Sequence, residues 1–331
     1  MIRGFVEPSQ GNTHSQHQEV HVRRPPLAPI MSTFSATAFG TQIADLYHPF
    51  DQGMMQAISG TVSSVKRLSP DATSILDVGS GPGEPGCSLA ESFPSAAVIC
   101  SDVAQAMVDK ATARAAGKGL GNVTAMVLDL ADLGAVSSAS QNVVTANFAI
   151  MSTANLTRAL QEAHRVLKPG GFFVGTVWHA FSVPLLATEV MTELLGRPPE
   201  PPAVDPMRVM MTDPVLLDAE FLKAGLHAAD GHNSLHDIVF DLGEMGSCRA
   251  WQSALISHLS RLEQMEADGT ATREEARAAV ERRATARGLI KDGRLQCPGT
   301  YRTVCLVAKP TLPSATSDRC ANKTVELVEP P

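Results

Sequence analysis

Residues 74–86 read SILDVGSGPGEPG, a short apolar run broken by Asp77 and followed by glycine at positions 79, 81 and 83. Ser74–Val78 has the length and composition of a buried strand, and Pro85–Phe93 reads as a helix with Pro85 at its first position, where a missing N–H costs nothing. Glycine lets backbone approach a ligand where any Cβ would intrude. The helix that opens behind the turn is expected to offer free N–H groups and a positive dipole end. Strand, glycine turn and helix in this order form a ligand-binding corner, and the question is which ligand.

Two ligand classes compete for it. Read from Gly81, GPGEPG matches G-x-G-x-x-G, the dinucleotide fingerprint. Its register is wrong, because in a dinucleotide fold the first glycine follows the strand at once. Here Gly79 takes that place, and position 84, where the third glycine should fall, is Glu. Read from the strand, the pattern is acidic-x-Gly-x-Gly-x-Gly through Asp77, Gly79, Gly81 and Gly83.

Apolar runs and helical patterns alternate beyond the turn. Strands are expected at Ala97–Ser101, Val123–Leu128, Val143–Phe148 and Phe172–Trp178, with helices from Ala104 to about Lys118 and over Leu156–Val166. Such alternation implies a parallel sheet covered by helices on both faces, with ligands at the carboxyl ends of the strands.

Acidic residues close two of those strands: Asp102 in VICSDVAQAMVDKA and Asp129 in VTAMVLDLADL. Together with ALQEAHRVLKPGGFFVGTVW, these motifs resemble the class I S-adenosylmethionine-dependent methyltransferases, specifically the small-molecule enzymes of the ubiquinone and menaquinone biosynthesis type. The resemblance implies a Rossmann-like, doubly wound α/β sheet of about seven strands, mostly parallel with an antiparallel last strand, plus helical cap and lid insertions. It implies S-adenosyl-L-methionine as cofactor, held by Tyr47, Asp77, Gly79, Ser80, Gly81, Gly83, Asp102, Val103, Met107, Asp129, Leu130 and Asn147. In that family the acid at Asp102 binds the ribose diol and the one at Asp129 meets the adenine amino group; Met107 packs on the core, on adenine, or on both. FGTQIADLYHPF (39–50) resembles the family's cap helix, LDAEFLKAGLHAADGH its last helix and sixth strand, and YRTVCLVAKP (301–310) its closing strand. One departure stands out: where relatives open the fourth strand with an acid, SQNVV supplies Gln141 and Asn142, which reads as the loss of a structural charge.

Composition narrows the partners. The chain has 331 residues, 44% of them hydrophobic and 18% charged, enough for a large core. A net charge of -7, from 27 Lys+Arg against 34 Asp+Glu, gives no basic footprint for nucleic acid. Cys87, Cys100, Cys248, Cys297, Cys305 and Cys320 form no C-x-x-C pair, so no metal site or disulfide framework is expected, and a reducing, cytoplasmic setting is. No run approaches the roughly 18 apolar residues of a membrane span. Residues 1–33 read as a disordered leader, with an organelle address as the alternative, and residues 311–331 as a tail. The domain is expected over 34–310, with a core at 72–180 and a substrate cover over about 180–300. Oligomeric state is not legible.

A sulfonium methyl carries its own activation, so the protein must mainly align an acceptor and strip water from it. A hydroxyl or acidic carbon acceptor benefits from a general base, and His179, directly after the fifth strand, and His48, in the cap helix, are the candidates. The stretch from Phe181 through Met207, Met210 and Met211 suggests an adaptable apolar lid, and two amphipathic helices are expected over 247–265 and from Thr270 or Thr272 onward. A small apolar or aromatic methyl acceptor fits such a pocket, with oxygen or carbon ahead of nitrogen or sulfur. The alternatives are a nicotinamide-dependent oxidoreductase and a catalytically silent nucleotide-binding module.

Overall fold

The structure, a computed structural model, describes residues 52–153, 155–197 and 213–309. The expected cap helix with Tyr47 and His48, the methionine cluster at 207–211 and both chain ends lie outside them.

Helix α1 (Gln52–Leu68) leads into β1 (Ser74–Val78), α2 (Gly86–Ser92), β2 (Ala97–Asp102), α3 (Gln105–Gly117), β3 (Val123–Val127), β4 (Gln141–Asn147), α4 (Leu156–Val166) and β5 (Leu167–Phe181). After them come α5 (Val183–Leu195), α6 (Pro214–Lys223), β6 (Leu226–Ala228), β7 (Ser234–Glu244), α7 (Cys248–Ala254), α8 (Leu259–Ala267), α9 (Arg273–Ala286), β8 (Ile290–Lys291) and β9 (Arg294–Ala308). The sheet runs β3-β2-β1-β4-β5-β9-β6, with β7 and β8 also paired to β9. Strands β1 to β5 are parallel, and β9 is antiparallel to its neighbours. Strand order reverses between β1 and β4, and the carboxyl ends there open the crevice in which this architecture binds ligands.

Both sheet faces are covered, as the near-continuous apolar strands require. One face packs Leu76, Val144, Phe173 and Leu306 against Leu156, Leu160 and Ala163 of α4 and Phe221 of α6. The apolar positions of α4 recur every three to four residues and so form one stripe; Asn155 caps the helix by accepting the Arg158 N–H at 3.0 Å. The opposite face packs Ile75, Val98, Val174 and Cys305 against Val65 of α1 and Leu89 of α2. A third core joins Leu186 and Val190 of α5, Trp251 of α7, Leu262 of α8 and Val280 of α9 to Leu295 and Cys297 of β9.

The strand count corrects the expectation: nine strands stand among the described residues where about seven were anticipated. Strand β7 escaped the sequence reading because its alternation is weak, with Leu235 and Val239 both half exposed. Strand β9 begins seven residues before Tyr301 (301 minus 294), since Pro298-Gly299 reads as a turn. Pairing of β9 with both β5 and β7 overrides that signal. Helix α2 starts one residue after Pro85, and the single helix expected over 247–265 is broken at Ile256–His258. Thr272, not Thr270, caps α9, through a reciprocal box with Glu275.

Candidate active site at the glycine turn

The turn after β1 has its glycines for steric reasons. Gly79, Gly81 and Gly83 take φ of 66°, 53° and 106°, where a side chain is strained. A Cβ on Gly79 would stand 2.5 Å from the Ala149 Cβ, and one on Gly83 would stand 3.1 Å from the Ala111 Cα. Gly86, which sequence reasoning did not single out, is equally constrained: its Cβ would stand 2.3 Å from the Cys100 Sγ.

Contrary to expectation, every N–H from Ser80 to Leu89 is already committed to an acceptor. Ser80 donates to the Ser101 carbonyl at 2.8 Å, Gly83 and Glu84 to the Ser80 carbonyl, Cys87 to the Gly83 carbonyl and Leu89 to the Pro85 carbonyl. Carboxylates take the rest. Gly81 N–H donates to Asp102 Oδ2 at 3.0 Å, Gly86 N–H to Asp77 Oδ2 at 2.8 Å, and Ser88 N–H to Glu84 Oε2 at 3.0 Å. Pro82 and Pro85 have none to give. An anion approaching this corner meets Asp77, Glu84 and Asp102, which already hold three of its amides.

Asp77 is fully buried, with its second oxygen accepting the Thr145 hydroxyl at 2.7 Å. Burial pushes its carboxyl up to about 7, against the pull of Thr145 and Gly86, with Glu84 and Asp102 adding repulsion. Its direct role is to fix the turn. Glu84, also buried, is partnered by Arg114 at 3.2 Å. Asp102 is half-buried, its other oxygen accepting the Ala104 N–H at 3.0 Å. Desolvation holds its carboxyl above the ordinary range, opposed by the backbone donors. Lone pairs on both oxygens stay open for a ligand diol.

Around this turn the remaining expected residues are distributed unevenly. Val103 is 49% exposed and Val127, opposite Asp102 in the β2–β3 register, is 47% exposed, which leaves an apolar ledge at the carboxyl ends of those strands. Asp129 is exposed and accepts the Ala131 N–H at 2.8 Å, while Leu130 packs against the core. Met107 is only 2% exposed and belongs to the interior of α3. Ser80 is buried with its hydroxyl unpartnered among the described residues. Asn147, at the end of β4, accepts the Thr61 hydroxyl at 2.8 Å, and its buried Nδ2 has no partner among the described residues.

His179 is placed less well for base chemistry. Its Nδ1 lies 3.1 Å from the guanidinium of Arg302, which is 1% exposed. Arginine can only donate, so Nδ1 accepts and the neutral ring carries its proton on Nε2. The one basic lone pair of the neutral imidazole is therefore already engaged.

Asn142, near the start of β4 where relatives carry an acid, has a structural place. Its Oδ1 accepts from Ser74 at 2.8 Å, Lys168 at 3.0 Å and Thr73 at 3.1 Å, which ties the starts of β1, β4 and β5 together. This knot sits at the amino ends of the strands, on the side of the sheet away from the turn. A set of aromatic residues that sequence reasoning missed lies at the ligand end instead: Phe148, Trp178, Phe181, Phe240 and Tyr301. Among the described residues no group of three His, Cys, Asp or Glu could hold a metal ion, and no helix is long and apolar enough to cross a membrane.

Comparison with known proteins shows similarity to methyltransferases. Residues 75–171 match the family model described as a methyltransferase domain. The chain is 32% identical over 142 residues to methyltransferase ucsB of Acremonium sp, covering 37% of this chain and 49% of that protein. It is 32% identical over 113 residues to malonyl-[acyl-carrier protein] O-methyltransferase of Methylococcus capsulatus, covering 33% and 39%. The matches thus span about half or less of the length of these relatives. Among solved structures, YcgJ of Bacillus subtilis aligns with a TM-score of 0.50 at 16% identity, over 76% of this chain and 100% of that one. A putative methyltransferase of Bacillus halodurans aligns with a TM-score of 0.51 at 15% identity, over 77% and 99%.

Proposed function

We propose that this chain, whose residues 75–171 match a methyltransferase domain, is a class I S-adenosylmethionine-dependent enzyme that methylates a small apolar or aromatic molecule at oxygen or carbon. The observation that carries the reading is the commitment of every N–H from Ser80 to Leu89, three of them to carboxylates. A dinucleotide needs vacant amides for its pyrophosphate. A sulfonium with an amino group is cationic, and the acids Asp77 and Asp102 favour it. The oxidoreductase alternative loses its main support with those amides. The intact turn and Asp102 speak against a silent module.

The residues present fit such a cofactor. Asp102 offers two acceptor oxygens to a ribose diol. Val103, Val127 and Leu130 provide apolar surface for a base, with Asp129 at its edge to accept an amino N–H. The buried Ser80 hydroxyl and Asn147 amide, both unpartnered, are of the kind that a ligand satisfies. Asp77 acts through the turn it holds. When bound, S-adenosylmethionine supplies an electrophilic methyl group; the chain's own task is to align the acceptor and exclude water. We read residues from about 180 to 300, with their own apolar core, as the cover that does this.

Incubation of the full chain with methyl-labelled S-adenosylmethionine and a panel of phenols, enols, amines and thiols tests the proposal. Label should pass to oxygen or carbon acceptors, and at sub-saturating cofactor transfer should fall about ten- to a hundredfold in Asp102→Ala. Transfer confined to thiols or amines would overturn the acceptor assignment.

A further inference from the structure

We infer that Glu84 is a positioning residue of the cofactor site: it governs the charge on Asp77 and so the pH at which the corner takes a cationic cofactor. This rests on the methyltransferase reading and adds to it how the site is regulated. Glu84 occupies the place where a dinucleotide turn would carry its third glycine. Its side chain is 4% exposed, and a carboxylate buried to that degree persists where partners meet it. They come from two helices. On α2, the Ser88 N–H donates to Oε2 at 3.0 Å. From α3, Arg114 in the last turn stands 3.2 Å from Oε1, and Lys118, just beyond the helix, stands 3.8 Å from it while pairing Glu91 of α2 at 3.0 Å. Gly83 lets the turn approach α3 this closely, since a Cβ there would lie 3.1 Å from the Ala111 Cα.

Asp77 is differently placed. Its oxygens take the Gly86 N–H and the Thr145 hydroxyl, both uncharged donors, and the charges that act on it are two acids, Glu84 and Asp102. Burial does most to keep Asp77 protonated; of the two acids, Glu84 repels it more strongly than Asp102 does. The other elements packed here add no further charge to that balance. Strand β4 carries no ionisable residue. Cys100 of β2 is held well above its ordinary range by its hydrogen bond with Cys87 and by burial, and Glu91 of α2 faces Lys118. Asp102 lies on the ligand side, whereas Glu84 faces α3, so Glu84 is the acid whose charge acts on Asp77 from behind the site. With Glu84 charged beside it, Asp77 ionises as pH rises through about 7, and the negative charge that favours a sulfonium is completed over the same range.

Two variants of the full chain test this. Glu84→Gln keeps an oxygen for the Ser88 N–H, and Glu84→Gln combined with Arg114→Gln removes the ion pair whole and leaves the net charge unchanged. In wild type and in each variant, the carboxyl carbon-13 resonance of Asp77, assigned through its loss in Asp77→Asn, is followed from pH 5 to pH 9 without ligand. Affinity for S-adenosylmethionine is then read by calorimetry at pH 6 and pH 8. The midpoint of the resonance should fall from about 7 to roughly 6 in both variants. Affinity at pH 6 should rise about fivefold as the ionised fraction grows, with less than a twofold change at pH 8. A residue that merely shaped the turn would instead lose affinity at both pH values alike. An unmoved midpoint, or a moved midpoint without the gain at pH 6, would overturn the inference. Failure of the wild type to bind at pH 8 would overturn the methyltransferase reading, and the resonance then still decides whether Glu84 governs the charge on Asp77.

Discussion

Around the glycine turn, backbone does nearly all the work, and each N–H from Ser80 to Leu89 has an assigned acceptor. At the ends of β5, β7 and β9 and in the cover beside them the surface is made of side chains instead, with partly exposed rings on the strands and, between α5 and α9, ion pairs such as Glu193 with Arg282 and Arg283. Backbone geometry admits few substitutions, because φ values and close approaches are fixed by the chain. Side-chain surfaces can be rebuilt one residue at a time. The difference suits an enzyme that keeps one cofactor and varies its acceptor, and it makes the two regions separable by mutation.

Gly79→Val should show the largest effect. It places a Cβ 2.5 Å from that of Ala149 at a φ of 66°. Left-handed strain of roughly 1–2 kcal/mol and overpacking of roughly 1–3 kcal/mol should lower the melting temperature and cut cofactor affinity about a hundredfold or more, read by calorimetry. Wild-type affinity in that variant breaks the claim that backbone sets this region. Asp102→Ala should cost about ten- to a hundredfold in cofactor affinity, with Asp102→Asn between, since the lost bonds include charge-assisted ones.

Asp77 sharpens the comparison through pH. Its carboxyl titrates at about 7 in the folded chain and at 3.8 when unperturbed. The folded state therefore keeps a proton that the unfolded state sheds, so this group's contribution to stability is lost as pH rises from 3.8 through about 7. Affinity for a cationic cofactor should move the other way, tightening about tenfold from pH 6 to pH 8 as the competent ionised fraction grows. Asp77→Asn should flatten that profile. A wild-type profile that is already flat contradicts the electrostatic part of the account.

The smallest change is expected in the cover. Arg282 and Arg283 hold the Glu193 carboxyl below its usual range, yet both guanidinium groups are exposed to solvent. Glu193→Ala should cost less than about 1 kcal/mol by denaturant unfolding and leave cofactor affinity intact. A loss of cofactor binding there would mean that the two regions are not separable.

The same contrast explains what the sequence revealed. Strands β1 to β5 and the glycine turn were legible because apolar runs, Gly-Pro punctuation and closing acids lie close together along the chain. The rings at 148, 178, 181, 240 and 301 meet only through sheet register, in which Trp178 faces Tyr301 and β7 lies along β9. No local pattern encodes that meeting, and the weakly alternating β7 was missed with it. Nor could the sequence disclose that Asp77, Glu84 and Asp102 occupy the amides expected to be free, because Asp102 reaches Gly81 from the neighbouring strand. His179 looked available from its place after β5, until the buried Arg302 of β9 came beside it.

The most direct test of the central claim is isothermal titration of the full chain with S-adenosylmethionine and S-adenosylhomocysteine, with NADH as comparator. A corner whose amides are taken by carboxylates and backbone carbonyls should bind both methionine derivatives at micromolar dissociation constants or tighter and remain silent to NADH. Binding of NADH, or silence to both methionine derivatives, would contradict it.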